Sequence, residues 1–131
     1  MQNLERPKQT RYDGCLGRHL LIEFYDCDLE SISDARRVEA TMIKAAEAAQ
    51  AHIVDSIFHT FNPHGVSGVV VIAESHLTIH TWPEFHFASV DIYTCGKSAD
   101  PWKACRVLKR DFRAKRLETV ELKRGLLKKK S

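Results

Sequence analysis

No stretch of the chain approaches the run of about eighteen apolar residues that a membrane-spanning helix requires. The opening residues, M-Q-N-L-E-R-P-K-Q-T, also lack the apolar core of a signal peptide. A cytoplasmic protein is the expectation. Cysteine is scarce, and Cys15, Cys27, Cys95 and Cys105 contain no C-x-x-C pair. Neither a disulfide framework nor a zinc ribbon is therefore expected, and reduced thiols are the default. Excess charge is small as well. The 20 basic and 17 acidic residues leave a net +3, and most of that excess sits in Lys123, Arg124, Lys128, Lys129 and Lys130. Such a run is a solvated tail rather than a nucleic-acid footprint. No internal repeat is visible, so 131 residues predict one compact domain with a modest core, small enough for self-association to help bury it.

The pattern along the chain divides into a polar arm over residues 1–16, a domain over 17–122 and a basic tail over 123–131. Within the domain, H-L-L-I-E-F-Y over 19–25 alternates as a strand does. Ser31 to Asp34 are helix-capping types, and Val38, Met42, Ala45 and Ala49 then recur at helical spacing, predicting a helix over 34–50. A second strand is expected over 52–61, followed by turn chemistry at Asn62-Pro63-His64-Gly65. Asp100-Pro101 reads as an N-cap with proline in the first turn of a second helix, whose buried face is Cys105, Leu108 and Phe112. A last strand is expected over 115–122. The predicted order is β-α-β-β-β-α-β, which implies an α+β two-layer sandwich: a mostly antiparallel sheet with two helices on one face. The uncovered sheet face is then a place for a second protomer.

Residues 65–96 depart from what a plain core would contain. Val69, Val70, Val71 and Ile72 are β-formers, and the strand continues through Leu77 to Trp82 before turning at Pro83-Glu84 and returning from Phe85 to Cys95. Ser67, Glu74, Ser75, His76, His80 and Cys95 lie among these residues. Each singly has an ordinary explanation as a hydrogen-bonded strand residue or a small packed thiol. Together they indicate chemistry. A metal is not expected: H-x-x-x-H at His76 and His80 suits zinc on a helix, but on a strand the two stand about four times 3.3 Å apart.

The segments G-R-H-L at 17–20, G-V-S-G at 65–68, E-S-H-L-T-I-H-T-W-P-E at 74–84, Y-T-C-G at 93–96 and D-P-W at 100–102 resemble the small bacterial and archaeal S-adenosylmethionine decarboxylases. The resemblance covers about residues 17–121, and the eleven-residue run is its most specific part. It implies a proenzyme that cleaves itself between Glu74 and Ser75. Ser75 Oγ would attack the Glu74 carbonyl, and elimination and hydrolysis would leave a pyruvoyl group where Ser75 stood. Ser67 matches the oxyanion-assisting serine, and His80 matches the proton-transfer histidine of processing. Cys95 matches the proton donor of the decarboxylation, in which the pyruvoyl group forms a Schiff base with the substrate amine. Phe61 matches the aromatic that meets adenine or the sulfonium, and Glu84 the carboxylate that takes the ribose hydroxyls. A homodimer of cleaved protomers is implied, making decarboxylated S-adenosylmethionine, the aminopropyl donor for spermidine.

Strand parity raises one difficulty. On an unbroken strand Ser67 and Ser75 share a face and His80 takes the other. Either the chain bends or bulges near Ser75 or His80 lies elsewhere, and the bend is the expectation. Ordinary roles stay open for Phe61 as a core residue and for Glu84 as a turn residue. Two other readings also stay open: a pyruvoyl-dependent arginine or ornithine decarboxylase, and an unprocessed ligand-binding or dimerisation module of the same fold.

Overall fold

A computed structural model describes residues 14–127. The chain forms β1 (Cys15–Tyr25), a short α1 (Leu29–Ser33), α2 (Ala35–Ala48), β2 (Ile53–Thr60), β3 (Val66–Ile72), β4 (Ser75–Trp82), a 3₁₀ turn (Pro83–Phe85), β5 (Phe87–Cys95), α3 (Pro101–Asp111) and β6 (Arg116–Leu126). The six strands make one sheet in the order β2-β3-β4-β5-β1-β6, and every neighbouring pair is antiparallel. The α+β two-layer fold is the expected one.

The strand count differs from the expected order. The run expected as one strand across residues 65–82 is two strands, joined by a turn at Ala73 and Glu74. β-branched residues on both sides of the turn hide it from a propensity reading, because Val, Ile and Thr favour strands whichever way the chain goes. The domain limits shift too. β1 takes in Cys15 and Leu16 from the expected arm, and β6 runs on through Lys123 to Leu126 of the expected tail. The rest of that arm and tail, residues 1–13 and 128–131, lies outside the described residues.

Local signals set the helices. The Asp34 side chain accepts from Arg37 N and so caps α2, and Asp100 does the same for Trp102 N ahead of Pro101 at the start of α3. Val38, Met42 and Ala45 of α2, with Cys105, Leu108 and Phe112 behind them, pack on Leu20, Ile22, Phe24, Val70, Leu77, Ile79 and Ile92 of the sheet. All are 0–3% exposed. Thr81 is buried among them and is satisfied: its hydroxyl donates to Ile32 O and accepts from Val66 N at 2.8 and 2.9 Å. The helices cover this face alone. On the other face Ile57, Val71, Trp82, Val120 and Leu122 remain 40–68% exposed.

Candidate active site

The site residues lie on or beside the open face of the sheet, but at two ends of it. The turn at Ala73-Glu74 is held at one end. Glu74 is 3% exposed, yet its carboxylate is satisfied: Oε1 accepts from His52 N at 3.0 Å and Oε2 meets His52 Nδ1 at 2.6 Å. Ala73 N donates to His52 O at 2.8 Å, so both turn residues are braced by the residue just before β2. A carboxylate can only accept, which places a proton on His52 Nδ1. Ser75 follows as the first residue of β4, its Oγ 3.3 Å from His76 Nδ1.

The strand next door completes this end. His76 pairs with Tyr93, two residues before Cys95, so Ser75 and Cys95 lie at the same end of the sheet. Cys95 is half-buried at the end of β5, opposite Gly17 of β1. A Cβ at position 17 would stand 2.5 Å from Thr94 O and 3.1 Å from Cys95 Sγ, so only glycine leaves the thiol its place. The other three thiols are at most 3% exposed, and Cys27 and Cys105 belong to the core under the helices. Burial pushes Cys27 up to about 11 and raises Cys105 as well.

At the opposite end, Ser67 and His80 face each other across β3 and β4 as register partners, with Ser67 Oγ 2.5 Å from His80 Nδ1. They line a cavity of about 320 Å³ with Phe61, His64, Trp82 and Glu84. Phe61 is 48% exposed and meets the His59 ring edge-on at 4.7 Å between centroids. A larger cavity of about 540 Å³ lies between Asp26–Leu29 and His86, Arg113 and Lys115. It contains none of the residues that carry the chemistry, and the smaller cavity is the relevant one.

The expected bend near Ser75 is therefore present as a complete reversal, and it puts Ser67 beside His80 on one face. It does not bring either to Ser75 of the same chain. His80 is five residues along β4 from Ser75, about 16 Å at strand rise. The structure thus groups Phe61, Ser67, His80 and Glu84 at one end, and Glu74, Ser75 and Cys95 at the other.

One cluster escaped the sequence reading. His19, His76 and Asp91 converge, with one donor atom from each within 4.8 Å of the others. His76 stood out by its place after Ser75, but only the register of β1, β4 and β5 reveals that His19 and Asp91 face it. Such a trio could hold a divalent ion. However, Arg124 Nη1 lies 2.8 Å from His19 Nδ1, and a guanidinium only donates, so that nitrogen accepts and the ring proton sits on Nε2, towards Asp91. A metal at Nε2 would have to displace that proton.

Comparison with known proteins identifies the family. The chain is 56% identical over 110 residues to the S-adenosylmethionine decarboxylase proenzyme of Thermotoga petrophila, covering 84% of this chain and 85% of the relative. It is 52% identical over 112 residues to the proenzyme of the same name from Moorella thermoacetica, covering 86% and 90%. The crystal structure of the adenosylmethionine decarboxylase from Aquifex aeolicus superposes with a TM-score of 0.83 at 33% identity, over 89% of this chain and 97% of that one. The family model described as S-adenosylmethionine decarboxylase matches residues 18–125, a span that runs through β1 to β6 and takes in both ends of the open face, so this chain belongs to the S-adenosylmethionine decarboxylase family.

Proposed function

We propose that the chain cleaves itself between Glu74 and Ser75, converts Ser75 to an N-terminal pyruvoyl group, and with it decarboxylates S-adenosylmethionine. The observation that carries this reading is the position of the scissile bond. It lies at a hairpin tip, with the Glu74 side chain clamped by His52 and the Ser75 hydroxyl turned to an imidazole nitrogen. A peptide bond fixed on one side and flanked by a nucleophile on the other is arranged for intramolecular attack, where pre-orientation replaces an encounter. The pyruvoyl carbonyl, once formed, supplies an electron sink for the departing carboxyl group. Cys95, beside Ser75, holds the proton that returns to the substrate carbon.

Ser67 and His80 are assigned to the oxyanion and to proton movement during processing, yet they stand about 16 Å away on the same chain. A second copy resolves the separation. Two open faces related by a two-fold axis lying between them, and perpendicular to β4, bring Ser67 and His80 of each protomer over Ser75 and Cys95 of the other, building two identical sites. The apolar residues exposed on that face are buried by the same step. Phe61 and Glu84, which share the cavity with Ser67 and His80, then meet the adenosyl part of the substrate, Phe61 by its aromatic face and Glu84 at the ribose hydroxyls. Arginine and ornithine have no ribose for Glu84 to hold.

Intact mass spectrometry should find two fragments, residues 1–74 and residues 75–131, the second lacking a free amino terminus. The cleaved protein should release carbon dioxide from S-adenosylmethionine and not from arginine or ornithine. Ser75→Ala should stay whole and inactive, and decarboxylation by that variant at the wild-type rate would end the pyruvoyl reading.

A further inference from the structure

The shift of the Glu74 acyl group onto Ser75 must begin with loss of the hydroxyl proton, and on the same chain His80 stands about 16 Å away from it. Ser75 Oγ is 3.3 Å from His76 Nδ1, and His76 Nε2 is 3.2 Å from Asp91 Oδ1. The second oxygen of Asp91 accepts from Thr78 Oγ1 at 2.8 Å, which fixes the carboxylate against β4. Hydroxyl, imidazole and carboxylate thus stand in the order of nucleophile, base and orienting group. We propose that His76 is the general base of the acyl shift, with Asp91 as its positioning residue. The inference rests on the self-cleavage reading and adds to it a separate role from that of His80.

Three observations support the assignment. Asp91 Oδ1 is buried and has no hydrogen bond, although the Nε2 atoms of His76 and His19 lie 3.2 and 3.4 Å from it. A carboxylate left in that state is stabilised when a neighbouring ring becomes cationic. His19 is occupied on its far side by Arg124, which leaves His76 as the ring free to take a proton at Nδ1. Finally, the Tyr93 ring packs against both imidazoles, at 5.1 Å from His19 and 5.7 Å from His76 between centroids, and so holds their orientation. With its own proton on Nε2, His76 offers the Nδ1 lone pair to Ser75. Contacts a little over 3 Å are usual for a relay at rest and shorten as charge develops.

The step balances without an external reagent. The Ser75 O–H bond breaks and its proton passes to His76 Nδ1 as Oγ bonds to the Glu74 carbonyl carbon. The C–N bond to Ser75 then breaks, and the leaving nitrogen takes the proton back from His76. An amide becomes an ester and an amine, and His76 ends as it began.

The test follows fragment formation by mass spectrometry in freshly made protein. A wild-type chain that stays whole would count against the self-cleavage reading itself. With the wild type cleaving, His76→Ala should slow the appearance of fragments at least ~100-fold, and imidazole added to the buffer should restore part of the rate. Asp91→Asn, which keeps shape and packing, should slow it at least ~10-fold and covers the case in which His76→Ala does not fold. Hydroxylamine cuts esters and spares amides, so it should release no fragments from His76→Ala. Wild-type cleavage in either variant, or an ester accumulating in His76→Ala, would overturn the assignment.

Discussion

The two ends of the open face differ in how complete they are. Around Glu74, Ser75, His76 and Cys95 the groups are buried or half-buried; Glu74 is held by His52, and Ser75 leads through His76 to Asp91, His19 and Arg124. Around Phe61, His80 and Glu84 they are exposed on a shallow cavity, and only the Ser67–His80 pair is tightly joined. A reaction of the chain upon itself needs its groups fixed before any ligand arrives, because preorganisation must come from the fold alone. Substrate binding can wait for a covering surface. In the proposed reading the built end carries the scissile bond and its nucleophile, and the open end, Ser67 and His80 included, gains its function from what is laid over it.

The sharpest way to break this comparison is to separate the ends onto different chains. Ser75→Ala lacks the nucleophile at one end and His80→Ala the proton-transfer group at the other, so each alone should remain whole. Made together in one cell, mixed dimers would put an intact His80 over an intact Ser75, and about half of the His80→Ala chains should be cut at equal expression if partners are chosen at random. Absence of any cut chain in the mixture would mean that each protomer works alone and that the two ends never meet.

Cys95 tests the boundary between processing and turnover. It lies at the built end but is invoked only for the return of a proton to the substrate. Cys95→Ala should cleave itself as the wild type does while its decarboxylase activity falls at least ~100-fold. The remaining thiols are poorly placed to stand in, since all three are at most 3% exposed and Cys27 and Cys105 lie within the core. A variant that keeps full activity would remove Cys95 from the mechanism.

The sequence discloses these two regions unequally, and the reason is physical. Alternation along β1 and the capping residues Asp34 and Asp100 act over a few positions, so they can be read directly, and the sheet and helices follow from them. The turn at Ala73-Glu74 contains neither glycine nor proline. It is stabilised by His52, 22 residues earlier in the chain, and no local signal announces it. Strand parity calls for a bend near Ser75 but not for a full reversal, and only the register sets Ser67 opposite His80 and leaves Ser75 at the far end. Asp91 is hidden for the same reason. On β5 it is one polar residue between Val90 and Ile92, and its meaning depends on the strands to either side.

The smallest effect expected lies at the open end, where Glu84 stands exposed in the turn between β4 and β5. If it accepts hydrogen bonds from the ribose hydroxyls, each charge-assisted bond contributes roughly 1.5–3 kcal/mol. Glu84→Gln keeps the shape and gives up the charge, so kcat/KM for S-adenosylmethionine should fall at least about 10-fold, the factor that corresponds to roughly 1.4 kcal/mol. Phe61→Leu, which removes only an aromatic face, should weaken the same substrate less, by an amount equivalent to roughly 0.5–1 kcal/mol if that face meets the sulfonium at an exposed site. Self-cleavage should proceed at the wild-type rate in both, because neither side chain is needed for the acyl shift or the elimination. That asymmetry is what distinguishes the binding residues of the open end from Ser67 and His80 beside them. Slow processing in Glu84→Gln would show that Glu84 itself takes part in bond cleavage, and unchanged kcat/KM would take the ribose away from Glu84.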